Sequence, residues 1–559
     1  MPDIVLGPML RFVDDRRATV WVETDGPASV EVLGRAARTF HVAGHHFALV
    51  QLDGLEPGSV TPYELSLNGT RVWPPAARSF PTSVIRTTHP ERPFRVAFGS
   101  CRVTRPNREP YTLDRTRHRQ GVGVDALQAL AAELRRTDHQ SWPELLLFLG
   151  DQVYADATSP ETQDFIRSRR DTSRPPGTEV ADFEEYCQLY REAWSEPTVR
   201  WLLSTIPTAM VFDDHDIHDD WNTSAAWRRQ MAATPWWRER ITGGLMAYWL
   251  YQQLGNLDPE ELAADELFGQ VQSVPDAGPL LREFAARADA EADGGKPVRW
   301  SYRRDYGGTR LLVLDSRCGR ILETDHRRMV DPPEWDWIVA QTAGEFDQLL
   351  IASSLPVLLP PAVFDLEGWN EAVCGGAWGP LAAWLGERVR QAVDLEHWAA
   401  FRLSFDALMR LVAHVGARVN GRRPATILFL SGDVHYSYLA RASFPAGDGV
   451  GCPVYQAVCS PLRNPTQRSV QIADRLSRTG PSRWLGRLLA RSVGLPAPAV
   501  SWEMTRGPWF HNGIATVALD GRAARLSFHQ APSRPDRDDP RLDPVCVAEL
   551  TASPYGGDR

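Results

Sequence analysis

In the stretch ELLLFLGDQVYAD, residues 144–156, a carboxylate and a phenol stand three residues apart just after an unbroken apolar run. Asp151 and Tyr154 are both oxygen donors for a hard cation. The run 145–149 has no polar alternation, which predicts a strand buried on both faces, and Gly150 lets the chain turn so that Asp151 emerges at its end. Four other apolar runs end in comparable groups. Residues 94–98 lead into Gly99-Ser100-Cys101-Arg102, and 209–212 into Asp213-Asp214-His215-Asp216. Residues 349–352 lead into Ser353-Ser354, and 427–430 into Ser431-Gly432-Asp433-Val434-His435. A sixth candidate, 311–314, ends in Asp315-Ser316-Arg317. In open α/β sheets the ligand crevice lies beyond the carboxyl ends of the strands, so these endings can converge.

The donor types then suggest the metals. A strand-end aspartate such as Asp151 can be shared between two cations. Thiolate, phenolate and imidazole from Cys101, Tyr154 and His435 favour a Lewis-acidic transition metal, with ferric iron the leading candidate. Carboxylates such as Asp214 and Asp433 suit calcium, magnesium or manganese. His215 can orient a phosphoryl oxygen or protonate a leaving alcohol while a carboxylate, with Asp216 adjacent, holds its ring; a salt-bridged surface loop is the other reading. Arg102 either grips a substrate phosphate in bidentate fashion or is an ordinary surface arginine. His218, Asp219 and Asp220 read as a solvated continuation of that loop, His45-His46 as a strand-edge pair, and His511-Asn512 as a satisfied polar pair. The six cysteines other than Cys101 read as structural.

These groups need a scaffold. Residues 1–88 contain short strands at about 18–23, 29–33, 46–52 and 63–67 between Gly, Pro and Asp-Gly breakers, which predicts a small β-sandwich of immunoglobulin or fibronectin type. Residues 89–535 alternate buried strands with helices, the pattern of an α/β core, with helical insertions near 159–205 and 225–297. The tryptophans of the second insertion form either a stacking surface or a packed core, the latter being the usual role of an aromatic stripe at helical spacing. A helical pattern spans 379–415, and 483–493 is amphipathic and basic. Residues 514–519 and 524–528 predict a hairpin, and 536–559 an irregular tail.

Of the 559 residues 43% are hydrophobic and 23% charged, ordinary for a globular protein, and the net charge of -9 gives no general basic field for nucleic acid. The seven cysteines form no C-x-x-C pair, which fits a reducing compartment. No run is long enough to span a membrane and no secretory signal is visible, so the expected location is cytoplasmic.

The four motifs FGSCR, GDQVY, DDHD and SGDVH, in this order, resemble those of the alkaline phosphatase D (PhoD-like) family of metallophosphoesterases. The leading β-sandwich fits as well, so the resemblance extends over about residues 1–530. It implies a four-layer α/β/β/α sandwich with two metals between the sheets. It implies that Cys101, Asp151, Tyr154 and His435 surround an iron-like site. Asp151, Asp214 and Asp433 would hold the second metal, with calcium expected, and His215 would face the scissile phosphate. The implied activity is hydrolysis of a small phosphate ester, mono- or diester, by metal-bound hydroxide. A metal-stabilised binding protein without catalysis is the alternative of another class. Two departures stand out. Exported relatives carry a twin-arginine signal, which is not visible here. The superfamily's histidine after the strand ending Ser353-Ser354-Leu355-Pro356 is also missing, so a second-metal ligand must come from water or elsewhere.

Overall fold

The structure, a computed structural model, describes residues 1–75, 80–418, 422–532 and 540–551. Two mixed sheets form its centre. One has six strands in the order Thr208–Val211, Leu145–Leu149, Phe94–Gly99, Gly513–Asp520, Ala523–Gln530, Asp543–Glu549; the first three are parallel and the rest antiparallel. The other has seven strands, with Thr309–Leu314, Gln348–Ser353, Thr426–Ser431 and Val454–Val458 parallel at its heart. Successive side chains of a strand point to opposite faces, and here both faces are dry. Leu145, Leu147 and Leu149 pack inward against Leu311, Val313, Leu350, Leu428 and Leu430 of the facing sheet. Leu146 and Phe148 point outward into a helical layer, and Ile351 and Phe429 do the same on the opposite side. The unbroken apolar runs are the signature of this double burial, and the architecture is the expected four-layer α/β/β/α sandwich.

The N-terminal region is β-rich, as expected. Its four-stranded sheets, one containing Ile4–Val13, Ala18–Thr24 and His45–Leu52 and the other containing Ser29–Val32 and Leu65–Leu67, enclose Val20, Val22, Val30, Val50 and Leu65. The first strand escaped the sequence reading because Gly7-Pro8 interrupts it. The opposite face of this sheet, with Leu6, Met9, Trp21 and Phe47, joins the same apolar cluster as the helical insertions. Both insertions are helical, and Trp227, Trp237 and Trp249 are buried in that cluster, so the aromatic stripe is core. The 379–415 pattern is broken into Pro380–Ala392 and Arg402–Gly416. Within the segment expected to be irregular, Asp543–Glu549 pairs with Ala523–Gln530 at the sheet edge; its Val545, Val547 and Cys546 supply the strand character that the preceding Pro- and Asp-rich residues obscured. The remainder of that tail, 536–539 and 552–559, lies outside the described residues.

Arg11, fully buried, fastens the N-terminal sheet to the second insertion. Its guanidinium donates to the carbonyls of Tyr251 and Gln252, each at 2.6 Å. Close by, His45 joins Glu23 at 2.7 Å to Glu184 of an insertion helix at 2.9 Å. Arg11→Met would leave two buried carbonyls without donors, so the unfolding free energy in a denaturant titration should fall by about 2–4 kcal/mol. An unchanged midpoint and slope would mean that this bond set does not anchor the region.

Candidate metal centre

The parallel strands of both sheets end on one side, and there the loaded residues meet. Three of the turns need unusual backbone. Cys101, Asp151, Asp433 and His435 all have left-handed φ, at 57°, 53°, 65° and 56°. This conformation costs a non-glycine residue roughly 1–2 kcal/mol, so four such residues in one cluster must be held by their surroundings. Gly150, at φ 92°, has no room for a side chain, since a Cβ there would come 2.5 Å from Cβ of Asp213. The turns are also tied to one another. Cys101 N donates to the Gly150 carbonyl at 3.2 Å, Asp433 N to Ser100 Oγ at 2.9 Å, and Gly432 N to the Ser354 carbonyl at 2.9 Å.

Side chains able to ligate gather in overlapping groups whose donor atoms lie within 4.8 Å of one another. Cys101, Asp151 and His435 form one; Asp151, Asp214 and His215 a second; Asp213, Asp214 and Asp433 a third; Asp156, His215 and Asp219 a fourth. Asp151 is therefore common to two groups, as a bridging ligand would be. Tyr154 donates from its hydroxyl to Asp151 Oδ2 at 3.2 Å. The expected trio Asp151, Asp214 and Asp433 does not gather as one group. Asp213, which the sequence reading left without a role, takes the place of Asp151 beside Asp214 and Asp433, because the chain enters the 3-10 turn at Asp214–Asp216 with Asp213 already pointing inward.

Concentrated negative charge dominates the electrostatics. Burial, reinforced by neighbouring carboxylates, holds the carboxyl groups of Asp151 and Asp213 far above their ordinary range, and burial likewise raises that of Asp214 against the pull of Arg317. Burial of Asp433 is overcome by its hydrogen bond to His397, with Arg317 and His435 assisting, so its carboxyl falls to about 2. Burial lowers His435 to about 4, leaving the imidazole neutral and able to ligate. Burial raises the Cys101 thiol, with Asp151 and Asp433 adding to the effect. Three buried oxygens, Asp151 Oδ1, Asp213 Oδ2 and Asp214 Oδ1, accept no hydrogen bond. Oxygen-rich, anionic and unsatisfied, these donors fit cations, with the thiol, phenol and imidazole clustered toward one end.

Several partners were absent from the sequence reading. Asp156, rather than Asp216, orients His215, accepting from Nδ1 at 2.8 Å. It stands two residues past Tyr154 in the very stretch first singled out, so spacing alone pointed to it. His397 places Nε2 3.0 Å from Asp433 Oδ2 and Nδ1 2.7 Å from Glu367. It lies in the break between two helices that the sequence presents as one pattern, and it puts an imidazole beside the second carboxylate group despite the missing histidine after Ser354. Asn464 donates to the Tyr154 hydroxyl at 3.0 Å and lies 3.3 Å from His435 Nε2. Arg317, fully buried, pairs with Asp213, with Asp214 at 3.3 Å and with Glu396 at 2.6 Å. Asn512, read as a satisfied polar residue, donates to the Val122 and Val124 carbonyls, each at 2.8 Å, and accepts from Asn464 N.

Two expected catalytic residues have other employment. Arg102 is neither a surface residue nor a phosphate grip: its guanidinium is 3% exposed, pairs with Asp125 at 2.8 Å and donates to the Ala193 carbonyl at 2.8 Å. The turn after Cys101 sends this side chain back under the insertion helices. Asp216 accepts from the backbone of Asp151 and Asp213, each at 2.9 Å, and of Val153 at 3.3 Å, while burial lifts its carboxyl to about 7. It shapes the turns that carry Asp151 and Asp213.

Comparison with known proteins follows this geometry. Residues 126–271 match the family model of PhoD-like phosphatase, and residues 1–85 that of a domain of unknown function (DUF7800). A search of curated proteins returns no match. A solved structure described as "Structure of PhoD" overlays 99% of this chain and 94% of its own at a TM-score of 0.58 and 12% identity, a likeness of fold. A maltogenic amylase from S. marinus overlays at a TM-score of only 0.13 and 10% identity and carries no argument. The family match and the fold together support assignment of the chain to the PhoD-like phosphatases. The match supports a phosphoesterase, and the carboxylate and histidine clusters are compatible with bound metal.

Asp216→Ala should disorganise the centre from within. With three backbone N–H groups left unpaired, we expect the unfolding free energy to drop by about 3 kcal/mol or more and bound metal, measured by elemental analysis, to fall in parallel. Retention of both would show that other contacts hold the two turns.

Proposed function

We propose that this protein hydrolyses small phosphate esters at a centre of two or more metal ions. Cys101, Asp151, Tyr154 and His435 would hold ferric iron, and Asp213, Asp214 and Asp433 would hold calcium, or magnesium or manganese. The observation that carries this reading is the convergence of buried carboxylate oxygens that accept no hydrogen bond, Asp151 Oδ1 and Asp213 Oδ2 among them, beside a thiol, a phenol and a neutral imidazole. Bound cations would supply Lewis-acid activation of a water and neutralise charge developing at phosphorus.

The chain's own groups supply the rest. Burial alone would deprotonate His215, but Asp156 and Asp214 hold its pKa far above the ordinary value. With Nδ1 occupied by Asp156, Nε2 is the nitrogen that presents a proton, and its nearest carboxylate is Asp219 at 3.7 Å. The ring lies 4.6 Å from that of Tyr154, which fixes it over the cluster. His215 thus suits proton donation to the leaving oxygen. The seven free thiols are the basis for proposing a reducing, cytoplasmic setting; no helix of the described residues is long and apolar enough to cross a membrane.

The test is turnover of aryl phosphate mono- and diesters with and without chelator. Activity should vanish with chelation and return with iron and calcium, and the ratio between the two esters assigns the preferred class. His215→Ala should lower kcat by about 10²–10⁴-fold with little change in metal content. Absence of turnover of either ester after reconstitution would sink the enzymatic reading in favour of a metal-stabilised binding protein. A second measurement addresses the iron: the purified protein should show a visible tyrosinate charge-transfer band that Tyr154→Phe abolishes. A band that survives the substitution removes Tyr154 from the ligand set.

A further inference from the structure

Two helices near the end of the chain turn their large apolar residues outward. Gly480–Ser492 buries only Gly486 and Ala490. Gly486 lies against helix Pro361–Cys374, where a Cβ would come 3.1 Å from the Ala362 carbonyl, and Arg487 reaches Asp365 of the same helix at 3.1 Å. Small and charged residues therefore make the packed side, while Trp484, Leu485 and Leu488 are 67%, 51% and 48% exposed. Their i, i+1, i+4 spacing places them on one face. Arg468–Ser477 repeats the inversion: it buries only Asp474, and leaves Ile472 and Leu476 57% and 58% exposed. An exposed apolar face of this kind marks a binding surface, because packing among the described residues does not account for it.

Charge selects the occupant. In a chain of net charge -9, residues 466–493 carry six arginines and a single carboxylate, Asp474. That carboxylate is closed off by Arg478 in two bonds of 2.9 Å. Arg468, Arg483 and Arg491 have no carboxylate partner among the described residues. A second copy meeting this face about a two-fold axis would set arginines against arginines. An anionic bilayer satisfies both features at once, since the apolar side chains enter the acyl boundary while the guanidinium groups meet lipid phosphates. We propose that helices Arg468–Ser477 and Gly480–Ser492 form an interfacial anchor that seats the protein on an anionic phospholipid surface. The anchor adjoins the metal centre in the chain: Arg468 follows Thr466, whose hydroxyl donates to the His435 carbonyl, and Asn464, which donates to Tyr154. An open cavity lined by Arg115, Thr466, Arg468, Arg475 and Phe510 lies along this same segment.

The experiment is sedimentation of the full chain with sucrose-loaded vesicles of phosphatidylcholine, alone or mixed with phosphatidylglycerol. Wild-type protein should pellet with the mixed vesicles, stay in solution with phosphatidylcholine alone, and be released as salt rises. The pair Trp484→Glu and Leu488→Glu should weaken partitioning by about tenfold or more, and so should Arg483→Glu with Arg491→Glu. Neither pair should move the thermal unfolding midpoint, because the substituted side chains contact water. Failure of the wild type to pellet with anionic vesicles, or wild-type pelleting by both double variants, would overturn the anchor. A dimer in sedimentation velocity that Trp484→Glu converts to monomer would give the face to a second copy and overturn it equally.

Discussion

Crowded buried negative charge is the constraint around which the centre is arranged. Asp151, Asp213, Asp214 and Asp433 approach from three strand ends, and Glu396 joins them through Arg317. Like charges taken out of water repel and resist ionisation, and the cost is met only where a cation stands beside each. Arg317 serves three carboxylates and His397 a fourth, yet Asp151 Oδ1 and Asp213 Oδ2 remain without donors. The protein neutralises part of its own charge and leaves an anionic remainder. That remainder fits bound cations, and the excess charge makes the empty centre less stable than the filled one.

Rigid surroundings make this arrangement sustainable. The left-handed turns at Cys101, Asp151, Asp433 and His435 would relax if their strands ended freely, but each is hydrogen-bonded to a neighbouring turn, and the strands below them are packed on both faces. Asp216 and Ser100 are the agents of this restraint. Each uses its polar atoms on the backbone of residues in the donor groups, so those side chains inherit their direction from residues outside the groups.

The double-faced burial of the central strands was legible because it leaves unbroken apolar runs, and the loaded strand ends were legible because they follow those runs. Cys101, Asp151, Tyr154, Asp214, Asp433 and His435 were all singled out on that basis. What escaped depends on distance in three dimensions. His397 and Glu367 stand 30 residues apart, one in a helix break and the other in a helix, and Asn464 meets Tyr154 across 310 residues. Adjacency misled twice: Arg102 follows Cys101 but turns away to Asp125, and Asp216 follows His215 but serves the backbone while the more distant Asp156 holds the ring. A strand direction can be inferred from a run of leucines, whereas the rotation of one side chain at a turn cannot.

The place of Gly513–Asp520 in the six-stranded sheet bears on how the protein is made. This strand lies between Phe94–Gly99 and Ala523–Gln530, in the middle of the layer that carries Cys101 and Asp151. A ribosome delivers residues 94–99 more than four hundred positions before their antiparallel neighbour. Until then the nascent sheet has a bare edge of unpaired backbone on a mostly apolar strand, the kind of surface that recruits chaperones or pairs wrongly. Cys101 and Asp151 thus reach their final setting only after Gly513–Asp520 has been made, and a chain cut short before that strand would carry most of the donor groups but no finished layer to hold them.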